Sequence, residues 1–304
     1  MQFYLAPMEG LTGYVYRSAY HKYFPAADRY FTPFITNKKM SSRERNDILP
    51  EHNEGMTVLP QILTNQAEDF LSLTKELKEY GYDTVNLNLG CPSGTVTAKG
   101  KGAGFLAHPD ELDRFFDEVF AKCEGISVKT RLGVHEASEF DKLLEIYNRY
   151  PITELTIHPR VRQDFYKGKV RESDFAAALP RCSMPVCYNG DLIIERDVSA
   201  VSERYPDLPA VMIGRALIAD PSLVMRLTGG KAADAKTLET FHDTLFVRYC
   251  EAFGDSRIAM LRMKEIWFYH LNLFENSEKT GKAIKKAKNA AEFQSAAAAV
   301  FRDC

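Results

Sequence analysis

Residues 85–96, with the sequence VNLNLGCPSGTV, bring two amides and one thiol together in a pattern that could support catalysis. The apolar residues of VNLNL alternate with Asn86 and Asn88, which is the period of a β-strand with two different faces. The Gly-Cys-Pro sequence that follows ends the strand in a loop, so Cys91 lies at the carboxyl end of the strand. Ligands bind at that end in parallel α/β proteins, which makes Cys91 a candidate catalytic residue. The alternative is that Cys91 only fills a corner between strand and loop.

The sequence contains eight strand-like runs, one of which leads to Cys91. Helical patterns fill most of the gaps between these runs. The runs cover residues 3–8, 30–35, 56–62, 84–89, 126–132, 154–160, 185–191 and 210–215. Eight strands that alternate with helices over about 230 residues predict an α/β fold of the (β/α)8 or TIM-barrel type. A doubly wound open sheet is the competing fold, but no GxGxxG follows the first strand.

The strand signals stop after residue 235, and the remaining residues read as helices over 237–251, 256–271 and 282–301. The sequence therefore predicts a barrel domain over residues 1–235 and a small all-helical domain over residues 236–304. The helical part has eleven Lys and Arg against nine Asp and Glu, a net charge of +2, which leaves −4 for residues 1–235. Five lysines lie between residues 279 and 288, and this run suggests either a nucleic-acid contact or an ordinary solvated helix face.

Composition narrows the class of protein. The chain has 304 residues, 45% of them hydrophobic, which is enough for one barrel-sized domain and a small appended one. The formal net charge of −2 gives no global basic signature, so a nucleic acid would have to bind a local patch. The six cysteines include no CxxC pair and no zinc spacing, and no apolar run approaches a membrane span. We therefore expect a cytoplasmic protein with reduced thiols, no metal and no membrane segment.

The last two strands suggest a phosphate site. In barrels, the loops after the seventh and eighth strands often bind phosphate through backbone N–H groups. Asn189 and Gly190 follow the seventh strand, and Gly214 and Arg215 end the eighth. Lys129, on the fifth strand, would stabilise negative charge elsewhere on the same ligand. Flavin mononucleotide (FMN) fits this arrangement, because it carries a phosphate at one end and an isoalloxazine that becomes anionic on reduction at the other.

A set of motifs, in order along the chain, resembles the tRNA-dihydrouridine synthases. The motifs are APMEG at residues 6–10, Gln61, NLNLGCPS with GKGAGFL after it, VKTRLG at 128–133, HPRVRQDFYKG at 158–168, YNGD at 188–191 and MIGRA at 212–216. In the tail, AMLRMKEIWFYH is similar to part of that family's helical domain. The resemblance implies an FMN-bearing barrel and a helical domain that together bind tRNA, with NADPH as the reductant.

Carried over position by position, the resemblance assigns roles to individual residues. Cys91 would donate a proton to uracil C5 while the flavin delivers a hydride to C6. FMN would be held by Pro7, Met8, Gln61, Lys129, His158, Asn189, Gly190, Asp191, Gly214 and Arg215. Asn88 and Arg160 would position the uracil, and Arg162, Lys282, Lys285 and Lys286 are candidates for contacts with the RNA. Three positions depart from the family pattern, namely Asn86 in place of Asp, Pro159 in place of Gly and Gly94 in place of Lys.

Three other functions are compatible with parts of the pattern. A different FMN barrel acting on a small metabolite would share the phosphate site and Lys129 but would have little use for a basic tail. An aldolase would use Lys129 to form a Schiff base. A non-catalytic RNA-binding module would keep the barrel as a scaffold. The sequence does not identify the uridine that is modified or the oligomeric state.

Overall fold

The computed structural model describes residues 1–36, 38–274 and 277–302. Its centre is a sheet of nine parallel strands in the order β3-β2-β1-β9-β8-β7-β6-β5-β4. The strands are β1 Gln2–Leu5, β2 Arg29–Phe31, β3 Val58–Leu59, β4 Gln61–Ile62, β5 Val85–Leu89, β6 Ile126–Gly133, β7 Leu155–Val161, β8 Val186–Tyr188 and β9 Ala210–Ile213. Each strand overlaps one of the eight runs predicted from the sequence.

Pro60 is the reason for the ninth strand. It divides the predicted run over residues 56–62 into β3 and β4, because proline has no N–H to donate to a neighbouring strand. β3 pairs with β2 and β4 pairs with β5, so the two halves of one strand join the two edges of the sheet. The Ile35 N–H donates to the Gln61 carbonyl at 2.8 Å and adds a link at this seam. The sheet is therefore a barrel of eight strand positions, and the predicted (β/α)8 fold is confirmed.

Helices connect the strands and cover the outside of the barrel. They are α1 Tyr14–Tyr23, α2 Ser42–Ile48, α3 Ala67–Glu79, α4 Gly94–Thr97, α5 Pro109–Phe120, α6 Glu139–Tyr147, α7 Glu172–Ala178, α8 Glu195–Arg204, α9 Arg215–Ala219 and α10 Leu223–Leu227. Their apolar sides pack on the strands; in α5, for example, Leu112, Phe115, Phe116 and Val119 are buried. A chain that alternates strand and helix in this way directs every strand the same way, so all carboxyl ends meet at one rim.

Four helices follow the barrel: α11 Ala235–Phe253, α12 Ser256–His270, α13 Glu278–Lys286 and α14 Ala290–Arg302. The third helix predicted here, over 282–301, is in fact two helices. Asn289 accepts the backbone N–H of Glu292 at 2.9 Å, and the Glu292 carboxylate accepts the Lys288 N–H at 2.8 Å. These two hydrogen bonds cap the start of a new helix, so the helical segment is interrupted after α13.

The helical region is packed on the barrel through α1 and α11. Phe241 of α11 meets the rings of Tyr16 and Phe24 edge-on, with centroids 5.9 and 5.1 Å apart. Arg248 donates to the Ser18 hydroxyl at 2.8 Å on the same surface. These contacts fix the start of the helical region against the barrel wall. Across the described residues, no helix has the length and apolarity needed to cross a bilayer.

Candidate active site

A cavity of about 460 Å³ opens at the rim where the carboxyl ends of the strands meet. Twelve predicted site residues line it: Pro7, Met8, Gln61, Asn88, Cys91, Lys129, His158, Asn189, Gly190, Asp191, Gly214 and Arg215. They come from strands or strand ends that are far apart in sequence. The barrel topology therefore brings the predicted catalytic thiol and all the predicted flavin ligands to one cavity.

The loop that carries Cys91 is fixed by two side chains. The Asn88 carboxamide oxygen accepts the backbone N–H groups of Gly90 at 3.0 Å and Cys91 at 2.9 Å. The Arg131 guanidinium donates to the Gly90 carbonyl at 2.8 Å. Both polar groups of the peptide before Cys91 are thus held, and the thiol has a defined position at the cavity wall.

A chain of buried amides supports this loop from below. Asn86 donates to the Ser127 hydroxyl at 2.9 Å and accepts from the Gln61 amide at 2.7 Å. Gln61 in turn accepts from the Asn88 amide at 2.7 Å. Every member of the chain is buried, and a fully bonded buried network of this kind holds one geometry. Asn86, which departs from the family pattern, therefore supports the Cys91 loop indirectly, through Gln61 and Asn88.

Burial raises the pKa of the Cys91 thiol above its ordinary value, although nearby Arg131 and Lys129 act in the opposite direction. A raised pKa keeps sulfur protonated at neutral pH. The site therefore favours Cys91 as a proton donor over a thiolate nucleophile.

Lys129 extends into the cavity and donates to the Asn189 carboxamide oxygen at 2.7 Å. Asn189 is itself held by a 2.8 Å bond to the Met212 carbonyl. Burial first, and then the charge of Arg131, lower the pKa of Lys129 to about 8. An anionic ligand would reverse part of this effect, because it favours the ammonium form.

His158 is neutral. Burial and the surrounding cations, Arg131 first, lower its pKa well below the ordinary value. Its Nε2 atom lies 3.1 Å from Nη1 of Arg160, and a guanidinium only donates. Nε2 is therefore the acceptor, and the ring proton resides on Nδ1.

Arg160 does not line the cavity. Its side chain is 1% exposed and binds both carboxylate oxygens of Asp191, at 2.9 and 2.5 Å, and the Gly168 carbonyl. Asp191 also accepts from Arg215 at 3.0 Å. The structure thus places Arg160 behind the residues at the cavity wall, where it fixes Asp191 and, through it, Arg215.

The predicted RNA-contacting residues lie outside the cavity. Arg162 is at the rim and donates to the Thr97 hydroxyl at 3.0 Å. Lys282, Lys285 and Lys286 are exposed on α13 in the helical region. The structure therefore does not bring these lysines together with Cys91.

Further residues also line the cavity, among them Arg131, Tyr166, Phe268 and Tyr269. Arg131 follows Lys129 by two positions, so strand alternation already places it on the same face. Tyr166 lies with its ring 5.3 Å from the Arg131 guanidinium and 5.5 Å from that of Arg215. Phe268 and Tyr269 belong to α12, and no local pattern in the sequence indicates that this helix reaches the barrel rim.

Together these features define a (β/α)8 barrel with a cationic ligand cavity at its carboxyl rim and an appended helical region. The sequence profile described as "Dihydrouridine synthase (Dus)" matches residues 4–302, and the chain belongs to that family. Among its relatives is a probable tRNA-dihydrouridine synthase of Staphylococcus aureus strain COL, 29% identical over 232 residues, 72% of this chain and 69% of the relative. Another is tRNA-dihydrouridine synthase B of Pasteurella multocida, 26% identical over 227 residues, 72% of this chain and 67% of the relative.

Similar solved structures support the fold. A morphinone reductase mutant in complex with tetrahydroNAD has a TM-score of 0.54 at 12% identity, covering 78% of this chain and 89% of its own. A variant of NCR from Zymomonas mobilis has a TM-score of 0.53 at 14% identity, covering 79% and 90%. At these identities the likeness shows a common barrel architecture.

Proposed function

We propose that this protein is a tRNA-dihydrouridine synthase that reduces the C5–C6 bond of specific uridines in tRNA, with FMN as cofactor and NADPH as reductant. The observation that carries the proposal is the shared cavity of Cys91, Lys129 and Arg215. It combines a protonated thiol with two cations that suit an anionic ligand. The names of the relatives agree with this substrate.

The cavity has the properties that FMN requires. Its volume of about 460 Å³ lies within the range of roughly 300 to 1,000 Å³ usual for small-molecule sites. Gly190 is a part of the wall with little room for a side chain, since a Cβ there would lie 2.9 Å from Val170 Cγ1. Arg215, 38% exposed and paired with Asp191, remains accessible to a phosphate. We assign Pro7, Met8, Gln61, His158 and Gly214 to the remaining contacts with the cofactor.

When bound, FMN supplies a hydride to uracil C6. The task left to the chain is to deliver a proton to C5, and Cys91 is the acid. The bonds from Asn88 and Arg131 to its loop hold the thiol in place before the substrate arrives. Because the thiol is protonated, it needs no activating base for the first turnover.

The target uridine has to leave the RNA fold to enter the cavity, which costs a few kcal/mol of stacking and pairing energy. We propose that residues 236–304 form a tRNA-binding domain whose contacts recover this energy. Lys282, Lys285 and Lys286 would contact phosphates, and Arg162 at the rim would contact the RNA nearer the cavity. Asn88 and Arg160 would act as positioning residues, the first for Cys91 and the second for Asp191.

The experiment that tests the function uses the purified full chain and tRNA transcribed without modifications. We expect flavin absorbance in the protein and, after incubation with NADPH, dihydrouridine in digested tRNA by mass spectrometry. Mapping the modified nucleotide in the same tRNA would also identify the target position. Flavin-containing protein that reduces a small molecule but leaves tRNA unchanged would contradict the proposal. Borohydride trapping of a substrate on Lys129 in a colourless protein would instead support the aldolase.

A further inference from the structure

The mouth of the cavity is flanked by two exposed aromatic side chains. Tyr166 belongs to the loop after β7 and is 56% exposed, and Phe268 belongs to α12 and is 74% exposed. Among the large apolar side chains of the described residues, Phe268 has the highest exposure. Burying a phenyl ring is among the larger hydrophobic gains available to a protein, so an exposed ring at a ligand cavity indicates that a ligand covers it.

Phe268 is held on a rigid element. Its neighbour Trp267 is 2% exposed and anchors α12 in the helical core. Tyr269, which also lines the cavity, meets the Phe268 ring at 90° with centroids 5.1 Å apart. The exposed ring is therefore carried by an anchored helix and packs edge-on against Tyr269.

α12 also packs against α9, the helix that begins at Arg215 on the rim. Arg262 of α12 lies so close to Gly10, in the loop after β1, that a Cβ at Gly10 would be 2.7 Å from its guanidinium. This contact is beside Met8 and Glu9, which line the cavity. Phe268 is thus a fixed part of the cavity mouth, although it comes from the helical region.

The charges around the mouth indicate what covers the ring. Lys129, Arg131 and Arg215 give the cavity its cations. Of the described residues that line it, two carry carboxylates, and both are paired with arginines: Asp191 with Arg160 and Arg215, and Glu9 with Arg43 at 2.8 Å. A polyanion that also carries flat apolar faces suits both the charges and the ring. Single-stranded RNA has this combination, since unstacked bases pack on aromatic side chains.

We propose that Phe268 stacks on a nucleobase next to the target uridine, and so holds open the RNA strand from which the uridine enters the cavity. This inference rests on the proposed function and adds a positioning residue for the substrate. The stack replaces part of the base stacking that the RNA loses when the uridine is extruded.

The test compares Phe268→Ala with the parent protein and with Leu261→Ala, which removes another exposed apolar side chain from α12 away from the cavity. We expect Phe268→Ala to lower tRNA affinity by roughly 5- to 150-fold, the range found when a base-stacking aromatic is removed. Because no charge is lost, the slope of log affinity against log salt should stay the same. Leu261→Ala should match the parent protein.

Two further variants separate aromatic stacking from apolar burial. Phe268→Leu should bind tRNA nearly as weakly as Phe268→Ala, whereas Phe268→Trp should bind about as well as the parent. Stacking should also quench the added indole fluorescence when tRNA is added, against the constant signal of buried Trp267. Equal affinity of the leucine variant and the parent would show that stacking is not involved.

The outcomes distinguish this inference from the proposed function. If the parent makes dihydrouridine and Phe268→Ala does so with unchanged KM for tRNA, the inference alone is wrong. If Phe268→Ala loses flavin, or its flavin is reduced more slowly by NADPH without tRNA, the ring contacts a cofactor and the inference is also wrong. If the parent makes no dihydrouridine in any tRNA, the proposed function fails first.

Discussion

In the proposed reaction Cys91 is the proton donor, and burial raises the pKa of its thiol above the ordinary value. We expect Cys91→Ala to bind flavin and to oxidise NADPH at the parent rate, but to form no dihydrouridine, because the proton for C5 has lost its donor. Flavin absorbance, NADPH consumption and mass spectrometry of tRNA measure the three steps separately. Cys123→Ala, which removes a half-buried thiol at the end of α5, is the matched control. Normal product formation by Cys91→Ala would refute the role.

We expect the affinity for flavin to depend on pH through Lys129. Its pKa in the free cavity is about 8, below the ordinary value of 10.5, because burial disfavours the ammonium form. An anionic ligand prefers that form, so below pH 8 binding needs no added proton, whereas above pH 8 the cavity must take one up. We therefore expect flavin affinity to fall between pH 8 and 9.5, by up to about tenfold per unit. Anaerobic titration of flavin-free protein with reduced FMN, the form whose isoalloxazine is anionic, measures it.

Lys129→Met is the comparison for that titration. It removes the charge and keeps a side chain of similar length, so its affinity should be lower at pH 7 and should not change over the same pH range. The loss at pH 7 should be on the order of ten- to a hundredfold, as for a hydrogen bond to a charged group. A parent protein whose affinity is constant up to pH 9.5 would show that Lys129 does not contact the anionic part of the ligand.

At the scale of elements, the 3₁₀ turn Gly102–Ala107 supports the Cys91 loop from outside the barrel. The Ala103 N–H donates to the Cys91 carbonyl at 3.0 Å. Gly102 has a φ of +57° and lies so close that a Cβ would be 2.9 Å from the Cys91 carbonyl oxygen and 3.0 Å from Cys91 Cβ. The position thus requires glycine both for its backbone and for its contact.

Gly102→Ala is therefore expected to displace the thiol. Dihydrouridine formation should fall at least about tenfold, since small misplacements of a catalytic group are costly, while flavin content stays at the parent level. Gly81→Ala is the control, because Gly81 also has a positive φ, of +89°, but a Cβ there meets nothing within 4 Å. The positive φ should cost both variants about 1 kcal/mol of unfolding free energy. Gly102→Ala should lose more because of its added contact with Cys91, and only Gly102→Ala should lose activity. Equal activity of the two would contradict the support role.

The elements also show what sequence patterns predict well. Alternation and spacing predict all eight strand positions and place Asn88, Cys91, Lys129, Asn189, Gly190, Gly214 and Arg215 on strands or at their ends, because each strand end delivers its polar residues to one rim. The other five predicted cavity residues come from the family resemblance. The interruption between α13 and α14 is not predicted, because the helical period continues across it. Only the cap at Asn289 marks the start of the second helix. The family resemblance predicts that Arg160 positions the uracil. In the structure its side chain instead forms a salt bridge with Asp191, 31 residues further along the chain, and a contact over that separation leaves no local sequence signal.

At the scale of the whole molecule, the placement of α12 over the rim could not be predicted. It depends on contacts such as that of Arg262 with Gly10, which join residues some 250 positions apart and leave no periodic signal. Barrel patterns indicate where the chemistry lies, because every strand is followed by its own loop. They contain no information on how the appended helical region packs on the barrel, and so the position of Phe268 and Tyr269 at the cavity is visible only in the structure.

The distribution of charge gives the last prediction. The chain has a net charge of −2, so the proposed tRNA binding has to depend on local cations, and α13 has four exposed lysines, three of which are the predicted RNA contacts. If Lys282, Lys285 and Lys286 each neutralise a phosphate, replacing all three by alanine should reduce the slope of log affinity against log salt by roughly 2 to 3. Affinity at low salt should fall steeply, while NADPH oxidation without tRNA stays unchanged.

The control removes the same charge from another part of the surface. Lys75, Lys78 and Lys122 are exposed on or beside α3 and α5, which flank the barrel, and their replacement by alanine should leave the slope unchanged. Binding measured by fluorescence anisotropy between about 50 and 200 mM salt covers the range in which counterion release dominates. If both triple variants change the slope equally, the effect reflects net charge alone and α13 is a solvated surface. A smaller slope in the α13 variant alone would place the tRNA backbone along that helix.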